Sequence, residues 1–157
     1  MTTPGIVALI VRYGLVMLFL PFSALDKLMG FEDAVKQAQE VFRPRIIAIA
    51  VLICGLGIEI IMSLGVVTGF ADRMAALIMA AYCAATAVLY KRFWAQGDFW
   101  AAENSKGRTL FWDFLKNLSL GAGFLLIVIG TNGSGLRPFL SDPLASSHPY
   151  ASTQEHP

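Results

Sequence analysis

Four long apolar stretches fill most of this chain, and two of them contain an ionisable residue within the apolar run. Arg12 lies in the first stretch and Glu59 in the second. A charged side chain at the centre of a bilayer costs at least about 2.5–3.5 kcal/mol, so such residues usually pair or mark a functional site. The chain is therefore expected to be a small four-helix membrane protein, and these two opposite charges are expected to pair and to be candidates for a functional site.

The apolar stretches predict the fold class, because about 20 apolar residues are needed for a helix to cross a bilayer. We expect an all-α protein, an integral membrane four-helix bundle formed by residues 1–130. Its helices are predicted at about 5–29, 46–70, 74–90 and 114–129. Pro21 is expected to kink the first helix, since proline removes a backbone donor. The remainder, 131–157, is rich in Gly, Ser and Pro and is predicted to be a flexible tail.

Composition supports this class and excludes others. Of the 157 residues, 56% are hydrophobic and 15% are charged, whereas a soluble domain has roughly 25% charged residues. The net charge of +1 argues against nucleic-acid binding, which requires a strongly basic surface. The first apolar run is too long for a signal-peptide core and has no basic residue before it, so it is expected to remain as a helix.

The cysteines and histidines offer no redox or metal motif. Cys54 and Cys83 lie in separate apolar runs and form no CxxC pair, which makes dithiol chemistry unexpected. His148 and His156 both fall in the tail, so no bis-histidine haem is expected within the membrane. No metal site is predicted.

Basic residues predict the orientation, because positively charged loops stay in the cytoplasm. One side of the membrane would carry Lys27, Lys36, Arg43, Arg45, Lys91, Arg92, Lys106, Arg108 and Lys116, and the other Arg73 and Arg137. We therefore expect a multi-pass protein of the bacterial inner membrane with both termini in the periplasm.

Arg12 and Glu59 are predicted to form an ion pair between the first two helices. At 1.5 Å per residue, Arg12 lies roughly 10 Å below the periplasmic surface and Glu59 about 15 Å below it. An arginine side chain spans this difference. Two roles remain open for the pair: it fixes the register of the helices, or it forms a polar site that binds a ligand or exchanges a proton.

The two cytoplasmic loops have features of their own. Residues 31–43 alternate apolar and polar positions at helical spacing, which predicts an amphipathic helix on the membrane surface or against a partner. The second loop contains all three tryptophans, each after a phenylalanine: Trp94, Trp100 and Trp112. They indicate an interfacial aromatic belt, or alternatively the walls of a site for a flat amphipathic molecule such as a quinone head group.

Polar helix ends and small residues complete the pattern. Asp26 at the end of the first helix is expected to come near Lys116 in the fourth, as snorkelling or interfacial charges commonly do. The GxxxG pair of Gly65 and Gly69 and the spacing of Ser119 and Gly123 predict close helix packing, either within the bundle or against another subunit.

Several of these features, in this order and spacing, resemble the DoxX-like family of small four-helix membrane proteins. They are Arg12, Asp26-Lys27 with Gly30, Glu59, GVVTGFADR (65–73), FWAQGDFW (93–100) and KNLSLGAGFLL (116–126). The resemblance implies an inner-membrane protein linked to redox enzymes, one named relation being the small subunit of a thiosulfate:quinone oxidoreductase. It points to Arg12, Glu59 and Lys116 as residues to test. FWAQGDFW lacks the histidine that many relatives carry near this point.

Two functions follow as hypotheses. The first is a quinone- or quinol-linked subunit of a membrane oxidoreductase, not catalytic alone, whose redox cofactor another subunit supplies. Its candidate ligand site consists of Arg12, Glu59, Lys116, Trp94 and Trp100. The second is a non-catalytic accessory subunit that stabilises a larger membrane complex. In either case the partners are the lipid bilayer and other membrane subunits, and the tail is expected to dock on one of them.

Overall fold

The computed structural model describes residues 3–101, 104–130 and 135–150. All of its regular elements are helical, and four helical spans are long and apolar enough to cross a membrane: Thr3–Met29, Arg45–Thr68, Asp72–Ala95 and Lys106–Ile129. The predicted all-α membrane bundle is confirmed. The elements in chain order are α1 (Thr3–Val16), α2 (Ala24–Met29), α3 (Phe31–Gln39), α4 (Arg45–Thr68), α5 (Asp72–Tyr90), α6 (Lys106–Ile129) and α7 (Arg137–Ser141).

The first span is interrupted where the sequence predicts a kink. A widened helical turn over Leu18–Ser23 contains Pro21 and separates α1 from α2. Leu20 has extended backbone angles, φ −124° and ψ 110°, because the residue before a proline is disfavoured in the helical region. The break changes the direction of the chain within the membrane.

The predicted helix ends are close except at the start of α6. That helix begins at Lys106, eight residues before the predicted start at position 114. Ser105 caps it, with its side chain accepting a hydrogen bond from the Arg108 amide at 3.0 Å. The first turn (106–109) is polar, and Asp113 and Lys116 interrupt the apolar residues that follow. A search for a long apolar run therefore misses this start, although a good N-cap begins the helix.

The centre of the bundle lies between α5 and its neighbours α4 and α6. Small residues make this packing close, as predicted. A Cβ atom added at Gly65 would lie 2.9 Å from the Cβ of Ala75, and one at Gly123 would lie 2.9 Å from Cδ2 of Leu15. Both small-residue motifs therefore have at least one glycine packed within the bundle. The main buried cluster is Val16, Phe19, Val66, Ala75, Ala76, Met79, Ala80, Cys83, Phe124 and Val128.

The amphipathic helix predicted in the first long loop is present as α3, ending at Gln39. Its apolar residues Val35 and Ala38 are buried against Ala48 and Leu52 of α4. The apolar face thus packs on the bundle of the same chain. Amphipathic spacing alone does not distinguish a bundle from lipid or a partner as the surface that such a helix covers.

The bundle has two ends, a tail end and a loop end. The tail end holds the start of α1, the α4–α5 turn at 69–71 and the described part of the tail. The loop end holds α3 and the described parts of the second long loop, 91–101 and 104–105. Of the predicted flexible tail, residues 135–150 are described, and 131–134 and 151–157 lie outside the described residues.

Candidate functional site

Arg12 lies at the tail end in a buried ion pair with Asp72. Its Nη1 is 2.7 Å from Oδ2 of Asp72 and also donates to the Val66 carbonyl at 2.8 Å. Nη2 donates to the Ser147 hydroxyl at 2.8 Å. Arg12 is 8% exposed and Asp72 is fully buried. The guanidinium is therefore neutralised and hydrogen-bonded at a helix end.

The tail closes over this pair. The Ser147 amide donates to Oδ1 of Asp72 at 2.8 Å, and the Ser147 hydroxyl donates to Oδ2. Three residues on, the Tyr150 hydroxyl donates to the Val67 carbonyl. Burial raises the pKa of Tyr150 above its ordinary value. The segment from Ser147 to Tyr150 therefore covers the Arg12–Asp72 pair at the tail end of the bundle.

The predicted Arg12–Glu59 ion pair is wrong, because each residue pairs with a different partner. Glu59 contacts Lys27 of α2. The reason is the direction of the side chains, which tilt toward the N-terminus of their own helix. α1 starts at the tail end and α4 at the loop end, so Arg12 and Glu59 extend in opposite directions along the bundle.

Glu59 is the centre of a polar cluster in the middle of the membrane span. Its Oε1 accepts from the Tyr82 hydroxyl at 2.8 Å, from the Ser23 hydroxyl at 3.2 Å and from the Lys27 ammonium. Lys27 also donates to the Ser23 hydroxyl at 3.0 Å. Three elements, α2 with the turn before it, α4 and α5, therefore converge on one carboxylate oxygen.

The second carboxylate oxygen of Glu59 is left without a partner. Oε2 accepts no hydrogen bond from any residue that the structure describes. Because Glu59 is only 2% exposed, solvent does not replace the missing partner. The Ser63 hydroxyl is likewise buried and without a partner among the described residues, but Ser63 does not line the cavity that Glu59 borders. A buried oxygen without a partner needs a physical explanation, since native structures satisfy most such groups.

A cavity of about 460 Å³ borders the Glu59 cluster. Its walls are mostly apolar and come from α2 to α6 and the kinked segment. Ser23, Lys27, Glu59 and Tyr82 supply polar groups at one place, and Gln37, Lys91 and Asn117 supply others. Ligand sites in proteins have this composition: a mainly apolar cleft of about 300–1,000 Å³ with a few placed polar groups.

The cavity reaches the lateral surface of the bundle. Leu18, Cys54 and Leu89 line it and are also exposed. Leu18 and Cys54 lie well inside their spans, where the exposed surface of a membrane protein faces hydrocarbon. A lipophilic molecule can therefore enter from the bilayer without crossing the polar end of the bundle.

The other predicted site residues lie outside this cavity. Lys116 is exposed and contacts Asp113 of its own helix at 3.3 Å. Trp94 packs on Phe93 and Phe114, and Trp100 is 92% exposed. None of these residues lines the Glu59 cavity, so the structure does not bring the five predicted residues together.

Sequence reasoning missed three residues that matter here. Asp72 was overlooked because it falls in the turn before an apolar run, although the first turn of a helix at the depth of Arg12 is a natural place for its counter-ion. Tyr82 is the one tyrosine near the middle of α5 and gave no pattern. Lys27 follows Asp26 at the end of the first span and resembles any charge at a helix end, yet a lysine one turn after Ser23 reaches back into the span.

The described residues hold no group of three His, Cys, Asp or Glu side chains arranged to bind a metal. Cys83 is buried in the core and Cys54 is exposed at the cavity.

Comparison with known proteins gives one match. A family model described as DoxX matches residues 7–92, a range that contains Arg12, Lys27, Glu59, Asp72 and Tyr82. No curated protein matches, and no solved structure matches.

Proposed function

Because this chain belongs to the DoxX family, whose model matches more than half of it, we propose that it binds a quinone or quinol head group within the membrane. In this proposal it is the membrane part of a redox enzyme in the bacterial inner membrane.

The observation that carries the proposal is Oε2 of Glu59, a buried carboxylate oxygen without a partner among the described residues, on a side chain that lines a mainly apolar cavity. A ring with an oxygen substituent fits such a site, because the ring is apolar and the substituent offers one directed hydrogen bond. The lateral opening beside Leu18 and Cys54 admits a molecule that is dissolved in the bilayer.

Each residue of the cluster then has a role. Glu59 receives a hydrogen bond, or a proton, from the head group at Oε2. Lys27, Ser23 and Tyr82 hold the carboxylate in place through Oε1. Phe19 packs edge-on against Tyr82, with ring centroids 6.1 Å apart, and fixes the tyrosine. A bound quinone and quinol would supply two-electron, two-proton carriage, and a redox centre on another subunit would exchange the electrons.

Cys54 provides a direct test, because it is an exposed thiol in the cavity wall while Cys83 is buried. The purified protein in mild detergent is treated with N-ethylmaleimide, with and without decylubiquinol or decylubiquinone. We expect the ligand to slow modification of Cys54 severalfold. Cys83 serves as the internal reference that stays unmodified. Equal rates with and without either ligand would contradict the proposal.

A second candidate function is a non-catalytic accessory subunit of a larger membrane complex. The observation in its favour is Trp100, a large aromatic side chain that is 92% exposed at the loop end. The test compares the yield of the native complex from the membranes of cells that express Trp100→Ala with the yield from cells that express the wild-type protein. A lower yield with unchanged ligand binding would favour this role; an unchanged yield would argue against docking through Trp100.

A further inference from the structure

The donors around Glu59 are all in use, and this determines which kind of ligand the site accepts. A lysine ammonium has three N–H donors. The Lys27 ammonium meets Oε1 of Glu59, the Ser23 hydroxyl at 3.0 Å and the Tyr82 hydroxyl at 3.5 Å. The hydroxyl protons of Ser23 and Tyr82 point to Oε1 as well. The cluster has no donor left for a ligand.

What the cluster still offers is an acceptor. Oε2 of Glu59 is buried and accepts nothing from the described residues. An ammonium and two hydroxyls on Oε1 are the surroundings of an ionised carboxylate, which accepts hydrogen bonds and donates none. A ligand carbonyl facing Oε2 would place two acceptors together, whereas a ligand hydroxyl would satisfy it.

We infer that this site selects the reduced, hydroxyl-bearing form of its ligand over the oxidised, carbonyl-bearing form. The inference rests on the proposed function and adds a preference for quinol over quinone. The other polar groups of the cavity do not remove this preference. Gln37 and Asn117 carry amides, which donate and accept equally well. The Thr86 hydroxyl donates to backbone carbonyls of its own helix. Tyr90 and Lys91 are further donors in the wall, but they follow Tyr82 by eight and nine residues, so their backbone lies about 12 Å along α5 from the Glu59 cluster.

The preference has an expected size. A hydrogen bond to a charged group contributes enough to change a dissociation constant by about 10- to 100-fold. Tighter binding of the reduced form raises the reduction potential of the bound couple. For a two-electron couple, tenfold selectivity corresponds to about 30 mV, so the expected rise is about 30–60 mV.

The test compares three ligands of the same shape on the full-length protein in detergent. They are decylubiquinol, decylubiquinone and the dimethyl ether of decylubiquinol, which keeps the ring but has no donor. Dissociation constants are measured from partitioning between micelles with and without protein. We expect the quinol to bind about 10- to 100-fold more tightly than the quinone or the ether.

Glu59→Gln is the informative variant. In it the amide oxygen can face the three donors while the amide nitrogen faces the cavity, so the preference should reverse in favour of the quinone. Glu40→Gln neutralises an exposed carboxylate at the end of α3 and is the matched control, expected to keep the wild-type preference. The comparison of quinol with its ether in the wild-type protein gives the answer even where Glu59→Gln folds poorly.

The outcomes separate this inference from the function on which it rests. If quinol and quinone bind the wild-type protein equally, or quinone binds better, the inference is overturned while the proposed function stands. If neither form binds, the proposed function fails and the inference fails with it.

Discussion

Arg12 and Asp72 form an ion pair whose atoms Nη1 and Oδ2 lie 2.7 Å apart, and it joins the first span to the start of the third. Burying two charges is costly, and the attraction compensates only where the remaining hydrogen-bonding groups are also satisfied. Here the Val66 carbonyl and Ser147 satisfy them. The pair therefore fixes how α1, α4 and α5 meet at the tail end.

Removing one charge of this pair should destabilise the bundle strongly. Asp72→Asn leaves the Arg12 guanidinium buried without a counter-ion, and we expect a loss of about 3–5 kcal/mol in the free energy of unfolding. Thermal unfolding in detergent measures it. In the double variant Arg12→Met, Asp72→Leu neither charge of this pair remains, and most of the stability should return.

An exposed pair supplies the control. Asp33 and Lys36 on α3 lie 2.8 Å apart and are largely exposed, so Asp33→Asn should leave the unfolding midpoint unchanged. Equal loss of stability in Asp33→Asn and Asp72→Asn would show that burial of the Arg12–Asp72 pair is unimportant.

Ser147→Ala tests the contribution of the tail. The substitution removes the hydroxyl that lies between Arg12 and Asp72, leaving charged groups short of a hydrogen bond at a cost of about 1–3 kcal/mol. Ser141→Ala changes an exposed serine of the same tail and should have no effect. Faster proteolysis of the tail in Ser147→Ala alone would accompany the loss; identical unfolding curves for both variants would refute the role given to Ser147.

Filling the cavity should block the ligand without touching any polar group. Ala85 lines the cavity and the adjacent Ala84 does not, while both are exposed. We expect Ala85→Phe to abolish protection of Cys54 by decylubiquinol and Ala84→Phe to preserve it, with similar unfolding midpoints. Protection that persists in Ala85→Phe would place the ligand outside this cavity.

Membrane orientation is testable with single cysteines in a background of Cys54→Ser and Cys83→Ser. Leu144 at the tail end and Trp100 at the loop end are both exposed. If the loop end is cytoplasmic, as basic residues predict, a membrane-impermeant maleimide added to whole cells should label Leu144→Cys and not Trp100→Cys. The reverse labelling would invert the proposed orientation.

Apolar length and Pro21 are sufficient to predict the bundle and the kink in its first span, because the bilayer imposes both length and composition on a helix. The sequence also draws attention to Arg12 and Glu59, and both side chains are buried and ion-paired. It does not identify their partners. The sequence gives only the approximate depth of each residue in the membrane, and the depths of Arg12 and Glu59 differ by only a few ångströms. Their side chains nevertheless extend toward opposite ends of the bundle.

The cavity could not have been predicted at all from composition or spacing. The cavity depends on the packing of α3 against α4 and on the widened turn that contains Pro21. Both are features of the assembled tertiary structure. Tyr82 shows the same limit, since one tyrosine in an apolar helix gives no signal until its hydroxyl is seen to reach Glu59. Ser23, Lys27 and Tyr82 come from different parts of the chain, and their common contact with Glu59 can be recognised only in the assembled bundle.

The seal at the tail end has a consequence for biogenesis. The ribosome makes Arg12 in the first span, Asp72 at the start of the third and Ser147 only after all four spans. Until translation reaches Ser147, the ion pair lacks its covering and the four spans constitute an unfinished intermediate. Completion of the protein in the membrane thus waits for residues that contribute no transmembrane helix, and a premature stop shortly before them would yield a bundle of full width with one end left open.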